Sequence, residues 1–276
     1  MNTLQKALLP NGILAFTSGV AFVLLRHQLA EIFGISNSQV FLIVGVIISV
    51  FALTILAEIK MQRALATLWI ITQDLLWVIG SVLLILLQPF DLTIAAYWMI
   101  ALYALTVVAF IWFQSDGLAS IDTKSGSSRK LLSFERKVRA DKEKVWKVIS
   151  DVGTYHKVAP NIDKSKIISG QGIGMVRKCS HGKDKWEEKC TLWDEGNKYA
   201  FEVNTSAPDY PYPLKFLKGT WSVETVQNGQ SNIKMVFEFE YKKSIHNLLI
   251  HPFMKSQFTK VCKQLLDSWQ KKVEQL

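Results

Sequence analysis

The stretch ISGQGIGMVRKCSHGKDKWEEKC (residues 168–190) lies in the second half of this chain of 276 residues and indicates how that half folds. Its three glycines, at positions 170, 172 and 174, are close enough together to suggest a phosphate-binding loop. A dinucleotide-binding loop leads from a strand into a helix whose N-terminus meets the phosphates. Here the glycines precede the strand-like MVRKCSH and a second turn, and the G-K-[ST] ending of a P-loop is missing. The pattern therefore excludes a nucleotide loop and predicts a hairpin connection or β-bulge that requires positive φ.

The same stretch could also be interpreted as a metal site. Cys179, His181 and Cys190 offer three ligand atoms, but a fourth ligand at a usual zinc spacing is missing. Buried cysteines without a metal are common, because a free thiol packs like a small apolar group. We therefore expect neither a metal nor another cofactor.

Strand alternation predicts which side chains of this hairpin share a face. Any even-length turn within residues 182–185 places charged groups and large apolar groups together on the inward face. That face comprises Met175, Arg177, Cys179, His181, Trp186, Glu188, Cys190 and Leu192, and after the turn at DEGN it continues with Tyr199, Phe201 and Val203. The opposite face is expected to meet solvent and carries Lys178, Ser180, Glu187 and Lys189. If the turn pairs His181 with Asp184, Arg177 lies directly opposite Glu188.

A charge pair on the inward face is costly to bury in a dry core. Each ion loses its hydration, and only excellent hydrogen bonding repays that loss. A partly hydrated pocket is a more favourable place, so we expect Arg177, Glu188 and His181 to line one. Two alternatives stay open: the pair lies at the end of the sheet and reaches solvent, or an odd-length turn changes the register.

The rest of the second half predicts a long antiparallel sheet and a final helix. Strands are predicted at 130–140, 164–169, 174–181, 186–193, 198–205, 216–226 and 231–242. A short amphipathic helix is predicted at 141–151, with Asp141 as its N-cap. Residues 251–276 carry apolar side chains three and four apart and predict one long helix with Pro252 near its start.

The register of the last hairpin follows from its apolar residues. A two-residue Asn-Gly turn would mix the two faces of the sheet. A three-residue Gln-Asn-Gly loop, with Gly229 left-handed, makes the apolar faces agree. This loop pairs Val223 with Ile233, and it pairs Trp221 with Met235.

The first half of the chain is predicted to span a membrane. Four apolar stretches, 8–25, 40–57, 64–87 and 92–113, lack the charged face of a soluble helical bundle. Their lengths match a hydrocarbon core about 30 Å thick. A polar segment rich in Ser, Gly and Asp follows them. We therefore expect a four-helix transmembrane domain at 1–115, a flexible linker at 116–129 and a soluble domain at 130–276.

Charge and cysteine content indicate the compartment. Residues 1–115 hold four basic and four acidic residues, so the whole net charge of +9 belongs to the rest of the chain. Lys60 and Arg63 follow the second span, and positive-inside counting places both termini in the cytosol. The odd number of cysteines shows no disulfide framework and fits a reducing compartment. Nucleic-acid binding is not expected, because the exposed strand faces mix Lys with Glu and show no aromatic strip.

Asp74 lies near the middle of the third span. An ionisable group at that depth is a candidate functional site by default. The alternative is a protonated or paired Asp74 that holds the bundle together with Asn11, Thr17 or Arg26. We favour the structural role, because four short spans with one acid show no relay for transport.

Several segments of the second half resemble a known superfamily. They are VWKVISDVGTYHKVAPNI (145–162), GQGIGMVRKC running into WEEKCTLWDEGNKYAFEV, and GTWSVETV with IKMVFEFEY. Residues 130–276 resemble the SRPBCC superfamily, which includes START lipid-transfer domains, polyketide cyclase/dehydrase-like proteins and coenzyme Q-binding proteins. The resemblance implies an α+β helix-grip fold, in which the C-terminal helix closes a cavity for hydrophobic ligands over a curved sheet. Through QDLLWVIGS (73–81), the spans resemble small four-span bacterial proteins with no activity to carry over.

These observations favour a membrane-tethered domain that binds a hydrophobic small molecule, such as a lipid, quinone or isoprenoid, at the cytosolic membrane face. An enzyme of the cyclase or hydratase type, using Arg177, His181 and Glu188, is the second hypothesis. A membrane scaffold with a vestigial cavity is the third. The expected ligand-binding residues are Tyr155, Arg177, Cys179, His181, Trp186, Glu188, Phe201, Trp221, Met235, Phe237, Phe258 and Cys262.

Overall fold

The computed structural model describes residues 1–226 and 229–275 and divides the chain into two compact units. The first, here called the membrane unit, comprises Met1–Ile121 together with Asn247–Phe253. The second, the grip unit, comprises Asp122–His246 and the described chain from Met254 onward. The predicted fold class, a four-span helical bundle followed by a helix-grip domain, is confirmed.

The membrane unit is built from four long apolar helices and one short one. Their bounds are α1 Thr3–Leu24, α2 Arg26–Phe33, α3 Gln39–Met61, α4 Ala64–Leu87 and α5 Ile94–Ser120. All but α2 are long and apolar enough to cross a membrane. Large side chains such as Ile47, Leu86 and Trp112 are exposed on their outer faces, as expected for contact with lipid. The short α2 was not predicted, and it buries Leu29 and Phe33.

Small residues bring α1 and α3 into close contact. A Cβ added to Gly19 would lie 2.4 Å from the Ser49 hydroxyl oxygen, and one added to Gly45 would lie 2.7 Å from the Gly19 carbonyl oxygen. Glycine at both positions therefore lets the two backbones approach, as is common in membrane bundles.

The segment predicted as a flexible linker has regular structure. Helix α5 continues to Ser120, because Gly117 packs its backbone against Leu4 of α1, where a Cβ would lie 2.7 Å from the Leu4 Cα. The residues after it form a hydrogen-bonded turn: the Lys124 amide donates to the Arg129 carbonyl at 2.8 Å, and the Leu131 amide to the Asp122 carbonyl at 2.8 Å. The polar composition of this segment corresponds to a helix end and a turn.

The grip unit has a seven-stranded antiparallel sheet. Its strands are β1 Lys130–Val138, β2 Lys164–Ser169, β3 Val176–His181, β4 Asp184–Asp194, β5 Lys198–Val203, β6 Leu214–Val226 and β7 Gln230–Tyr241, and they lie in the order β1-β7-β6-β5-β4-β3-β2. Between β1 and β2 come α6 Lys142–Ile149 and a 3-10 helix, Val152–Lys157; after β7 come α7 His246–Leu249 and α8 His251–Glu274. The sheet packs on α8 through a buried apolar core that includes Cys262, Leu265 and Trp269.

The predicted registers of two hairpins, β6 with β7 and β3 with β4, are confirmed. In the last hairpin Val223 pairs with Ile233 and Trp221 with Met235, and Gly229 has a φ of +67°. Gln227 and Asn228 of the expected loop lie outside the described residues. In the hairpin of β3 and β4, the turn pairs His181 with Asp184, and Arg177 lies opposite Glu188.

The three clustered glycines serve the turn between β2 and β3. Gly170, Gly172 and Gly174 have φ values of +74°, +59° and +89°, which residues other than glycine rarely adopt. The expected hairpin connection is confirmed. One inward position is wrong: the ladder shifts between Cys190 and Leu192, so Trp193 takes the inner position expected for Leu192 and pairs with Tyr199.

Candidate functional site

The Arg177–Glu188 pair is the most unusual feature of the inner face of the sheet. Cross-strand pairing places the two side chains opposite one another, and they are only 1% and 6% exposed. The Arg177 Nε and Nη2 atoms lie 2.8 Å and 2.7 Å from Glu188 Oε2. The other carboxylate oxygen, Oε1, accepts from the Trp186 indole at 2.7 Å. Both oxygens are hydrogen-bonded, which is the condition under which a buried pair is tolerated.

Two aromatic rings hold the guanidinium in place. Its central carbon lies 4.1 Å from the Phe201 ring centroid and 4.7 Å from that of Tyr155. The Arg177 Nη1 also lies 3.5 Å from the Val152 carbonyl oxygen, at the start of the 3-10 helix. Burial lowers the pKa of Arg177, but the Glu188 charge, together with smaller contributions from Cys179, Tyr155 and Tyr199, raises it more, so the pKa lies above its ordinary value. Arg177 is therefore positively charged, and its cation–π contacts add to the stability of this arrangement.

Aromatic side chains fill the centre of the inner face. Trp221 stacks on Tyr199 with ring centroids 5.2 Å apart and meets Phe237 edge-on at 5.5 Å. Phe237 in turn packs against Phe258 of α8, with centroids 4.6 Å apart. Tyr155 contacts Trp221 at 6.0 Å. The sequence-predicted residues Cys179, Met235 and Cys262 are buried in the same core.

Part of this apolar interior is only half-buried. Phe134 of β1, Leu217 of β6 and Phe258 of α8 pack against the core without being enclosed by it. Trp186, beside the ion pair, is also half-buried and contacts Tyr212 with ring centroids 6.1 Å apart. These side chains therefore keep part of their apolar surface accessible.

The buried hydroxyl and thiol groups are held in their neutral forms. Burial raises the pKa of Tyr155 and Tyr199 above their ordinary value, and the Tyr199 hydroxyl donates to the Ile149 carbonyl at 2.7 Å. Burial also raises the pKa of Cys179 and of Cys262 to about 12. At neutral pH these thiols are not nucleophiles.

Residues 131–274 match the protein family described as polyketide cyclase / dehydrase and lipid transport. The chain belongs to this family. No curated protein matches the sequence. Among solved structures, the grip unit is similar to the ZhuI aromatase/cyclase from Streptomyces sp. R1128, with 15% identity over 53% of this chain and 94% of that one, and a TM-score of 0.45. Norcoclaurine synthase from Thalictrum flavum shares 18% identity over 53% and 87%, with a TM-score of 0.43. A protein from Thermus thermophilus shares 15% identity over 52% and 96%, with a TM-score of 0.43.

His181, which the sequence predicts as a site residue, lies apart from the other predicted site residues. His181 is the last residue of β3 and is half exposed, with Nδ1 3.3 Å from an Asp163 carboxylate oxygen. Alternation assigns it to the inward face, but the sheet ends there and the side chain reaches solvent. The expected group of Arg177, His181 and Glu188 is therefore not assembled.

Other residues of the site were not singled out from the sequence. Tyr199 was assigned to the inward face, yet its central position among the rings was not foreseen. Trp269 was recognised only as part of the apolar stripe of α8, and its ring meets Tyr155 with centroids 5.9 Å apart. Tyr210 and Tyr212 lie between β5 and β6, where no periodic pattern could have indicated their direction.

Asp74 of the membrane unit joins three helices. Its Oδ2 atom accepts from the Asn11 amide of α1 at 2.8 Å and from the Gln114 amide of α5 at 3.1 Å. Asn11 was one of the expected partners, whereas Gln114 was not. Thr17 instead donates to the Ile13 carbonyl of its own helix.

In the described parts of the chain, the predicted site residues form no metal centre, and they lie outside a surface cleft of the grip unit. Within residues 1–226 and 229–275, no group of three or more His, Cys, Asp or Glu side chains could hold a metal ion. A cleft of about 590 Å³ lies at the far ends of β1 and α8 and is lined by Lys137, Val138, Arg139, Gln230, Gln270 and Glu274. It contains none of the expected ligand-binding residues, and its lining is mostly polar, which does not suit an apolar ligand.

Proposed function

We propose that the grip unit binds an apolar small molecule, such as a lipid, quinone or isoprenoid, between the inner face of the sheet and α8. The observation that carries this proposal is the half-buried apolar surface of Phe134, Leu217 and Phe258, continuous with the aromatic core. Ligand sites are usually apolar and contain a few placed polar groups. The family description, which includes lipid transport, supports the same class of ligand.

The Arg177–Glu188 pair forms the polar edge of this proposed site. Glu188 also pairs with Val203 of β5, so the ion pair and the apolar interior share one cross-strand row. Trp186 bonds the carboxylate through its indole N–H and is itself half-buried. We assign Tyr155, Cys179, Phe201, Trp221, Met235, Phe237 and Cys262 to the walls of the site.

The four spans are proposed to tether this binding unit to the inner membrane of a bacterium, with both termini in the cytosol. Four helices are long and apolar enough to span a membrane. The net positive charge of the chain lies after residue 115, and an anionic cytosolic leaflet attracts a basic domain by about 1 kcal/mol per well-placed Lys or Arg. Apolar ligands partition into the same membrane, so the tether raises their local concentration.

An enzymatic role receives less support from the geometry. General acid–base chemistry needs groups within hydrogen-bond reach of one another or of the substrate. His181 lies apart from the ion pair, and Arg177 and Glu188 already satisfy each other. The scaffold hypothesis makes the opposite prediction to ours, because a vestigial cavity would hold no ligand.

Ligand recovery from two adjacent variants tests the proposal. The full chain is purified in mild detergent, and the small molecules that accompany it are identified by mass spectrometry. Leu217→Glu places a charge on the half-buried inner surface, whereas Lys218→Glu changes the next residue, whose strand position pairs with Glu238 on the outer face. We expect an apolar compound with the wild type and Lys218→Glu and its loss from Leu217→Glu. Equal recovery from all three, or no compound with any of them, would contradict ligand binding at this surface.

A further inference from the structure

Indole N–H groups of the grip unit differ in whether they have a hydrogen-bond acceptor. Those of Trp146, Trp186 and Trp193 each donate to a carboxylate oxygen at 2.7 Å. Trp221 is 4% exposed, and among the described residues its Nε1 has no hydrogen-bond partner. Buried indole N–H groups normally find an acceptor, and one left without it costs free energy. The lack of an acceptor for the Trp221 indole N–H therefore needs a physical explanation.

The Trp221 ring is fixed from several sides and cannot turn to reach an acceptor. Tyr199 stacks on it at an interplanar angle of 17°, and Phe237 meets it edge-on. On its own strand the ring lies over Gly219, where an added Cβ would come within 2.4 Å of the ring. The absence of a side chain at Gly219 is therefore what permits this orientation of the indole.

The acceptor that would satisfy Trp221 is not supplied by neighbouring polar groups. The Tyr199 hydroxyl is directed at the Ile149 carbonyl, and the Glu188 oxygens lie against Arg177 and Trp186; none of them is hydrogen-bonded to Trp221 Nε1. An ionised ligand head would need a counter-charge, but the charge of Arg177 is already balanced by Glu188. The site therefore suits a neutral oxygen acceptor inside an otherwise apolar molecule.

We propose that the ligand carries a carbonyl oxygen that accepts a hydrogen bond from Trp221 Nε1, so that Trp221 selects ketones, quinones or esters over plain hydrocarbons. This inference rests on the proposed function and adds the chemical class of the ligand. Tyr155, Tyr199 and Phe237 would enclose the apolar part next to the carbonyl.

Two probes that differ only at the acceptor test this inference. The affinities of 2-acetylnaphthalene and 2-ethylnaphthalene are measured by equilibrium dialysis against the full chain in nanodiscs, with empty nanodiscs as the background. Trp221→Phe removes the N–H and keeps an aromatic ring, and Trp193→Phe removes an N–H that already has a partner. We expect Trp221→Phe to weaken binding of the ketone about tenfold relative to the ethyl analogue. Trp193→Phe should leave the ratio of the two affinities unchanged.

The outcomes separate this inference from the function on which it rests. If neither probe binds the wild type above the background, the proposed function fails. If both bind and their ratio is the same in the wild type and in Trp221→Phe, apolar binding stands and the selective role of Trp221 is wrong, as when a buried water accepts the N–H.

Should Trp221→Phe fail to fold, the wild type alone decides. With nitrogen-15 in the indoles, the Trp221 N–H proton resonance should move downfield with the ketone and not with the ethyl analogue. The same response to both probes would overturn the inference.

Discussion

Asp74 in the fourth helix of the membrane unit and Glu188 in the sheet of the grip unit are both buried carboxylates, and different partners stabilise them. Asp74 accepts hydrogen bonds from two neutral amides, those of Asn11 and Gln114. Glu188 instead faces the full positive charge of Arg177, together with the Trp186 indole. Each carboxylate is bound by side chains from more than one element of its unit.

This difference follows from the surroundings of each interior. Amide donors satisfy an acid without bringing a second charge into a hydrocarbon layer, where ionisable side chains are costly. The grip unit can bury a charged pair because its rings surround the guanidinium and both carboxylate oxygens are hydrogen-bonded. The comparison predicts that losing one partner costs much more in the grip unit than in the membrane unit.

The largest effect is expected when Glu188 loses its charge. Glu188→Gln keeps the shape of the side chain but leaves the buried Arg177 unpaired, which should lower the free energy of unfolding by about 3–5 kcal/mol. The matched control is Glu187→Gln, one residue along on the outer face, where the exposed pair with Lys178 is 3.7 Å long. That change should cost about 0–1 kcal/mol. Urea unfolding of the full chain in nanodiscs, followed by tryptophan fluorescence, measures both.

A double variant shows whether the cost comes from the unpaired charge. Arg177→Met combined with Glu188→Leu removes both charges, and stability should return to within about 1–2 kcal/mol of the wild type. If Glu188→Gln costs no more than Glu187→Gln, the pair is not buried in solution and the contrast between the units is wrong.

A second effect concerns how closely each interior packs. The membrane unit relies on glycine contacts, so Gly45→Ala, whose Cβ would meet the Gly19 carbonyl oxygen at 2.7 Å, should destabilise the bundle by about 1–3 kcal/mol. Gly80→Ala is the matched control, because nothing lies within 4 Å of its added Cβ. It should be neutral or stabilise α4 by up to about 1 kcal/mol. The loss of helix in mixtures of mild detergent and dodecyl sulfate measures the stability of both variants. If Gly45→Ala and Gly80→Ala change that stability equally, α1 and α3 are not in close contact.

The sequence was sufficient for features that depend on periodicity. Uninterrupted apolar stretches gave the four spans, and strand alternation with turn length gave the pairing of Arg177 with Glu188 and of Trp221 with Met235. These features are local, or they follow from the requirement that apolar faces agree across a hairpin.

Features that depend on contacts distant in sequence could not be predicted. The partnership of Gln114 with Asp74 requires α5 to lie beside α4, and the continuation of α5 requires Gly117 to meet Leu4. The bulge after Cys190 and the exposed end of β3 depend on where the ladder shifts or stops, which alternation does not reveal. The ring contacts of Tyr155 arise because the 3-10 helix brings it over the sheet.

A smaller effect is expected from removing an amide partner of Asp74. Asn11→Leu leaves the Gln114 amide in place, and interhelical hydrogen bonds in membranes average about 0.6 kcal/mol, with a maximum near about 1.7 kcal/mol. A double-mutant cycle of Asn11→Leu with Asp74→Leu isolates their coupling. We expect a coupling energy well below that of Arg177 with Glu188. A value as large as the one in the grip unit would show that neutral amides hold a carboxylate as strongly as a charged partner does.

The smallest change is expected from thiol reagents, which test whether the interior of the grip unit is as dry as its ion pair implies. Burial raises the pKa of Cys179 and Cys262 from an ordinary value of 9.0 to about 12. Between pH 9.0 and about 12, the folded chain keeps these two thiols protonated, whereas the unfolded chain has released their protons. Their contribution to stability is therefore constant below pH 9.0 and is lost as the pH rises towards about 12. At neutral pH a small maleimide should therefore leave both unmodified in the folded protein and modify them after denaturation, as read by mass spectrometry of the peptides. Ser133→Cys, exposed on β1, should react at once and serves as the control. Rapid modification of Cys179 in the folded chain would mean that water reaches the ion pair. The contrast between Asp74 and Glu188 would then reflect the hydration of the grip unit more than the strength of the pairing of Glu188 with Arg177.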